Sequence, residues 1–138
     1  VGVSAGMMGR TVGFGQVYLE ATRDSAGRWL DGGRMYHLRV PPDAPVAQFW
    51  SFTVYDNETR CFVDTGLQPD RSSRDDIVSN ADGSVDLYFG PRAPKGKPES
   101  NWIRTIPGRG WFTYFRLYGP TQRYFDRTWV LPDVEPMR

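Results

Sequence analysis

Phe49-Trp50-Ser51-Phe52-Thr53-Val54-Tyr55, followed at once by Asp56-Asn57-Glu58-Thr59, decides the fold class of this chain. Aromatic and β-branched side chains crowd the first seven positions, a composition that fits the half-buried pleat of a strand. The next four are turn formers, and Cys61-Phe62-Val63 then resumes the apolar character, which predicts a hairpin. Working outward, residues 34–40 alternate cleanly and stop at Pro41-Pro42, which lack the N–H groups a ladder needs. Trp111-Phe112-Thr113-Tyr114-Phe115-Arg116-Leu117-Tyr118 is apolar on both faces and reads as a central strand.

The remaining segments carry the same signature. Tyr18 to Thr22 alternates, and Asp24-Ser25-Ala26-Gly27 turns it toward Arg28-Trp29-Leu30. Ile77-Val78-Ser79 is expected to pair through Ala81-Asp82-Gly83 with Val85-Asp86-Leu87-Tyr88-Phe89, since Asp-Gly between alternating runs is a strong hairpin signal. Residues 66–76 read as a polar loop, and the connection over 90–100, rich in Pro and Lys, as a crossing between sheets that leads to Asn101-Trp102-Ile103. Thr128-Trp129-Val130-Leu131 is expected to be the last strand. Eight or nine short strands with no sustained helical period predict an all-β fold, an antiparallel two-sheet sandwich of jelly-roll type. Residues 1–16 are small and Gly-rich and read as an irregular or helical N-terminal arm, or a remnant of an upstream region; residues 17–138 read as a single β-sandwich domain.

Composition narrows the function classes. Seventeen basic against sixteen acidic residues, with no block of one sign, offer no electrostatic footprint for nucleic acid or an anionic membrane. Cys61 is the only cysteine and His37 the only histidine, so neither a disulfide framework nor a cysteine- or histidine-built zinc site is expected. No apolar run nears the roughly 20 residues that span a bilayer, and no leader is evident, although a chain that starts at Val1 rather than Met says little by that. Gly13-Phe14-Gly15 has no strand before it and no helix after it, so it is not a nucleotide loop. No cofactor is implied.

Five strings together resemble one family. They are Phe49-Trp50-Ser51 through Tyr55-Asp56; Asn80-Ala81-Asp82-Gly83-Ser84-Val85-Asp86-Leu87-Tyr88-Phe89-Gly90-Pro91; Asn101-Trp102; Pro107-Gly108-Arg109-Gly110-Trp111-Phe112; and Arg116-Leu117-Tyr118-Gly119-Pro120. The chain from Tyr18 to Glu135 is similar in these to the family called domain of unknown function 1214. The resemblance implies a β-sandwich that forms the carboxy-terminal part of a larger, mainly bacterial protein, often behind a partner domain catalogued as 1254. It implies no established activity, and no catalytic residue carries over. A soluble protein of the bacterial cytoplasm or periplasm is the matching expectation.

Strand alternation sorts the polar side chains by face. His37 and Arg39 share a side with Met35, Tyr55 with Ser51 and Thr53, Asp86 with Tyr88, and Tyr114 and Arg116 with Phe112 and Tyr118. If these strands lie in one sheet, His37, Arg39, Tyr55, Asp86, Tyr88, Tyr114 and Arg116 converge on a face suited to a small organic anion or a sugar, because Arg forks a carboxylate and Tyr offers a flat surface with a hydroxyl. The competing reading makes Asp86 and Arg116 a structural pair and the tyrosines ordinary cross-strand contacts.

Secondary candidates lie on the connections. Asp70 and Arg71 open a loop of alternating charge, Asp70-Arg71-Ser72-Ser73-Arg74-Asp75-Asp76, which reads either as a functional loop or as a self-paired solvated one. Asn101 beside Trp102 is a pairing suited to sugar recognition, whereas Trp50, Trp111 and Trp129 read as core. A Cys61–His37 dyad has no nucleophile motif around it. Three functions follow: a binding or accessory module; a hydrolase-like domain with Asp86 or Asp70 as acid–base group and Arg116 as electrostatic stabiliser; or a structural domain that covers its aromatic surface with a partner domain or another copy of itself.

Overall fold

Trp50, Phe52 and Val54, every second residue of the quoted strand, belong to the buried core cluster, and the fold is built around that stripe; Ser51 and Thr53 between them are also covered. The structure, a computed structural model, describes residues 3–7, 16–42, 46–59, 61, 63, 69–73, 75, 77–120 and 131–137. Nine strands are present among them: β1 (Val3–Met7), β2 (Gln16–Ala21), β3 (Tyr36–Val40), β4 (Val46–Asp56), β5 (Asp70–Ser72), β6 (Val85–Gly90), β7 (Trp102–Arg104), β8 (Trp111–Pro120) and β9 (Glu135–Pro136). They form a five-stranded sheet in the order β1-β2-β8-β4-β5 and a four-stranded sheet in the order β7-β6-β3-β9. All pairs are antiparallel except β6 with β7.

The two sheets meet through large aromatic rings, as a sandwich requires. Phe89 of the four-stranded sheet stacks on Trp111 at 4.9 Å and meets Phe52 edge-on at 6.3 Å, both in the five-stranded sheet. Tyr36 completes the contact with its edge against Trp111 at 5.6 Å. The all-β, two-sheet class expected from the sequence is the class observed, and β8 is central, flanked by β2 and β4. Trp50 and Trp111 are core residues as expected; the strand expected at 128–131, with Trp129, falls mostly outside the described residues.

Four local expectations are corrected, each by backbone pairing that side-chain patterns do not encode. Val3–Met7 is not irregular or helical: it pairs with β2 from Val3↔Ala21 to Met7↔Val17, because an open sheet edge offers N–H and C=O groups to any extended segment. Residues 70–72, read as loop, likewise pair with β4 at Ser51–Thr53. Residues 77–79 do not form a hairpin with β6, whose two edges are taken by β3 and β7. The connection after Gly90 does not change sheets. It returns to the same sheet and delivers β7 parallel to β6, and a parallel neighbour needs a crossover of about this length. Among the described residues no helix is long and apolar enough to cross a membrane.

Candidate functional site

The polar outer face of the four-stranded sheet follows directly from alternation. Tyr36, Leu38 and Val40 point into the core from β3, which turns His37 and Arg39 outward; Val85, Leu87 and Phe89 do the same on β6, which turns Asp86 and Tyr88 to the other side of the sheet, where Tyr88 is nonetheless covered, at 4% exposed. The pairings Tyr88↔Trp102, His37↔Tyr88 and His37↔Glu135 then line up Trp102, Tyr88, His37 and Glu135 in one row across all four strands. Arg39 and Asp86 are partners in the row beside it. The Asp82-Gly83 turn sets the start of β6: Gly83 takes φ +88°, and its N–H donates to the Asn80 carbonyl at 3.0 Å.

Asp86 is the centre of this face. Its Oδ1 accepts from Arg39 Nε at 2.9 Å and lies 2.6 Å from His37 Nε2, while its Oδ2 accepts from Asn80 Nδ2 at 2.9 Å and Arg39 Nη2 at 3.3 Å. An ionised carboxylate only accepts, so His37 donates from Nε2. Partial burial works to raise the Asp86 pKa, but the hydrogen bonds from Arg39, His37 and Asn80 outweigh it and hold the carboxyl well below the usual range. The His37 ring lies over Tyr88 at 5.4 Å, and burial, with Asp86 nearby, raises the Tyr88 hydroxyl pKa.

Two clefts flank this cluster. One of about 480 Å³ is lined by His37, Arg39, Asp82, Ser84, Asp133 and Glu135 together with Pro41, Pro42 and Pro132. The other, about 340 Å³, is lined by His37, Arg39, Asp86, Tyr88, Lys97, Glu135, Pro136 and Met137. His37, Arg39 and Glu135 are walls of both. Among the described residues no group of three or more His, Cys, Asp or Glu side chains is arranged to hold a metal ion.

The convergence of all seven primary candidates on one face does not occur. Tyr55, Tyr114 and Arg116 belong to β4 and β8, in the other sheet, and their outer face lies on the opposite side of the sandwich. There Arg116 Nη2 donates to the Tyr55 hydroxyl at 2.9 Å and Nη1 to Thr53 Oγ1 at 3.4 Å, and Tyr55 stacks on Phe112 at 5.3 Å with its edge toward Tyr114 at 5.4 Å. Burial, followed by the neighbouring Glu20, raises the Tyr114 pKa. Asp86 and Arg116 therefore form neither a structural pair nor the two halves of a hydrolytic site.

The secondary candidates are placed individually. Asn101, 2% exposed, is a strut: its amide accepts from the Val78 N–H and donates to the carbonyls of Val78 and Asp86, at 2.8–2.9 Å. Trp102 is half-buried in the row beside Tyr88, its indole N–H on the Gly90 carbonyl at 3.0 Å. On β5, Arg71 is the cross-strand partner of inward-facing Phe52, and its Nη1 donates to the Asp70 carbonyl at 2.9 Å. Asp75 accepts from the Ser72 N–H at 2.7 Å, as a self-paired loop would; Arg74 and Asp76 lie outside the described residues. Cys61 is exposed in the bend after β4, its carbonyl accepting from the Asp56 N–H at 2.8 Å, whereas His37 lies on β3 of the four-stranded sheet and is bonded to Asp86. Sequence reasoning missed Asn80 and Glu135. Asn80 carried a signal, a turn residue beside Asp-Gly; Glu135, in a two-residue strand, carried none.

Comparison with known families and structures agrees with the sequence resemblance. The family model described as "Protein of unknown function (DUF1214)" matches residues 15–122. The chain belongs to this DUF1214 family. The VPA0106 protein from Vibrio parahaemolyticus has a crystal structure similar to this DUF1214 chain at TM-score 0.76 and 22% identity, over 89% of this chain and 31% of that one. An uncharacterised protein from Burkholderia cenocepacia is similar at TM-score 0.52 and 16% identity, over 88% of this chain and 29% of that one. This DUF1214 chain thus spans about a third of the length of each solved structure, and at these identities the likeness is one of fold. No curated protein matches it.

Proposed function

We propose that this DUF1214 domain is a binding module that holds a small sugar on the outer face of its four-stranded sheet. The observation that carries the reading is Asp86, an ionised carboxylate locked by Arg39, His37 and Asn80 between two clefts. Its acceptor sites are occupied by those four bonds, so its role is to orient Arg39 and His37 rather than to meet the ligand. Arg39 remains more than half exposed and presents the rest of its guanidinium donors to the clefts. Glu135 adds an acceptor, and the proline walls add apolar surface.

Charge supports a sugar over a simple anion in the larger cleft. Asp82 and Glu135 line it, while the charge of Arg39 is already matched by Asp86, so a bare carboxylate or phosphate meets more acidic than basic groups. A sugar hydroxyl both donates and accepts, and it uses both kinds of group. Binding without turnover is expected, because a carboxyl held so far below the usual range is a poor proton donor or acceptor near neutral pH.

Titration calorimetry of the purified chain against glucose, galactose and their disaccharides, repeated with Arg39→Ala, tests the reading. Saturable binding that the folded variant loses is the expected result. No heat from any of these sugars or from their uronic acids, or equal heat from wild type and variant, overturns it.

A further inference from the structure

A third depression continues the same face beyond the two clefts, and it has the opposite charge. It measures about 360 Å³ and is lined by Arg92, Lys95, Ala93, Pro94, Met35 and Met137. Met137 is also a wall of the cleft that holds Asp86, so the two are neighbours. The floor is built rather than accidental. Met35 lies where Gly90 has no side chain: a Cβ at Gly90 would collide with the Met35 sulfur. The Met137 N–H donates to the Met35 carbonyl at 2.9 Å, which continues the β3–β9 pairing and sets the second methionine beside the first.

Over this apolar floor stands a cationic loop. Arg92, Lys95 and Lys97 fall within six residues, Lys97 already lining the Asp86 cleft. Among the described residues none of the three forms an ion pair. The loop turns at Gly96, with φ +71°, and the Lys97 N–H reaches the Pro94 carbonyl at 3.4 Å. The charge along the face therefore changes from acidic at Asp82 and Glu135 to basic at Arg92, Lys95 and Lys97.

We infer that the ligand is an acidic sugar, its hydroxyl-bearing ring held beside His37 and Arg39 and its carboxylate held over Met35 and Met137 by Arg92 and Lys95. This rests on the sugar-binding reading above and adds the class of sugar and its orientation. Arg92 supplies a fork of donors that matches a carboxylate, and Lys95 supplies a point charge. Among the described residues that line this depression none is acidic, and the thioethers of Met35 and Met137 are at most weak acceptors, so nothing there competes with a carboxylate for Arg92 and Lys95.

The test compares glucose with glucuronate, and the disaccharide of each, by calorimetry at low and high salt in wild type and in the Arg92→Gln/Lys95→Gln double variant. The acidic sugar is expected to bind wild type roughly tenfold more tightly than the neutral one at low salt, an advantage that shrinks as salt rises. The double variant is expected to lose that advantage and to bind the neutral sugar as wild type does, since it leaves His37 and Arg39 in place. Equal affinity of wild type for both sugars overturns the inference and leaves sugar binding standing. A preference that survives in the double variant also overturns it, because the carboxylate is then held elsewhere. If neither sugar binds, both readings fall.

Discussion

The two outer faces of this sandwich use the same residue types for opposite ends. On the five-stranded sheet, Arg116 bonds neutral oxygens on Tyr55 and Thr53, and Tyr55, Phe112 and Tyr114 pack ring against ring until Phe112 is almost wholly covered. On the four-stranded sheet, Arg39 bonds a carboxylate, stays in solvent and lines two clefts. The difference lies in what stands opposite the arginine. On one face the rings of Tyr55, Phe112 and Tyr114 pack beside Arg116, with Glu20 bonded to Tyr114. On the other a carboxylate fixed by several donors holds Arg39 at the edge of two clefts, above a Tyr88 that is itself buried. Composition alone therefore does not separate the two faces; the surroundings of each guanidinium do.

The contrast breaks most visibly if the aromatic face is cut. Phe112→Ala removes a buried ring and is expected to lower unfolding stability by about 3 kcal/mol, measured by chemical denaturation, while the sugar response stays as in wild type. Loss of binding in a still folded Phe112→Ala variant would show that the two faces are coupled.

Asp86→Asn is expected to have a smaller effect, about 1.5 kcal/mol at neutral pH, together with loss of sugar binding. Its pH dependence sharpens the comparison. The folded-state pKa of Asp86 is depressed, so its contribution is fully present above the unfolded value near 3.9 and is lost as pH falls from there through the folded value. Wild type and variant should differ in stability at pH 6 and converge toward pH 2. A gap that is constant over that range would mean that the charge of Asp86 is not what stabilises the face.

Tyr55→Phe removes one hydroxyl that accepts from Arg116 and keeps the ring stack, for an expected loss of about 1 kcal/mol and unchanged binding. The smallest effect on stability is expected from Arg39→Lys, an exposed position: its melting temperature should match wild type, yet sugar affinity should fall several-fold, because an ammonium lacks the fork that holds Asp86 with one edge and faces the cleft with the other. A clear drop in melting temperature with binding intact would reverse the roles assigned to the two arginines.

Much of this architecture was legible before any coordinate. Alternation predicted that His37, Arg39, Asp86 and Tyr88 face away from the core, and equally Tyr55, Tyr114 and Arg116, because side-chain direction along a strand is a local property of the pleat. The Asp-Gly turn predicted the start of β6, and the central place of β8 followed from its apolar character on both faces. The edge pairings of Val3–Met7 and Asp70–Ser72 were not legible, since backbone hydrogen bonds recruit extended segments with little regard for their side chains.

Which sheet each strand joins was decided only by the tertiary structure. Strand β3 and strand β4 are consecutive in the chain, yet one belongs to the four-stranded sheet and the other to the five-stranded sheet, and that single separation divides seven candidate residues into two unrelated clusters. The sequence by itself determined the all-β class, the strands that form the core and the side of its strand on which each of the seven candidate side chains lies. The encounter of Asp86 with His37 and Arg39, and the three depressions along that face, came from strand order and register, which depend on contacts between residues some fifty positions apart that no local pattern records; only the Asn80 contact, six positions away across the Asp-Gly turn, is local.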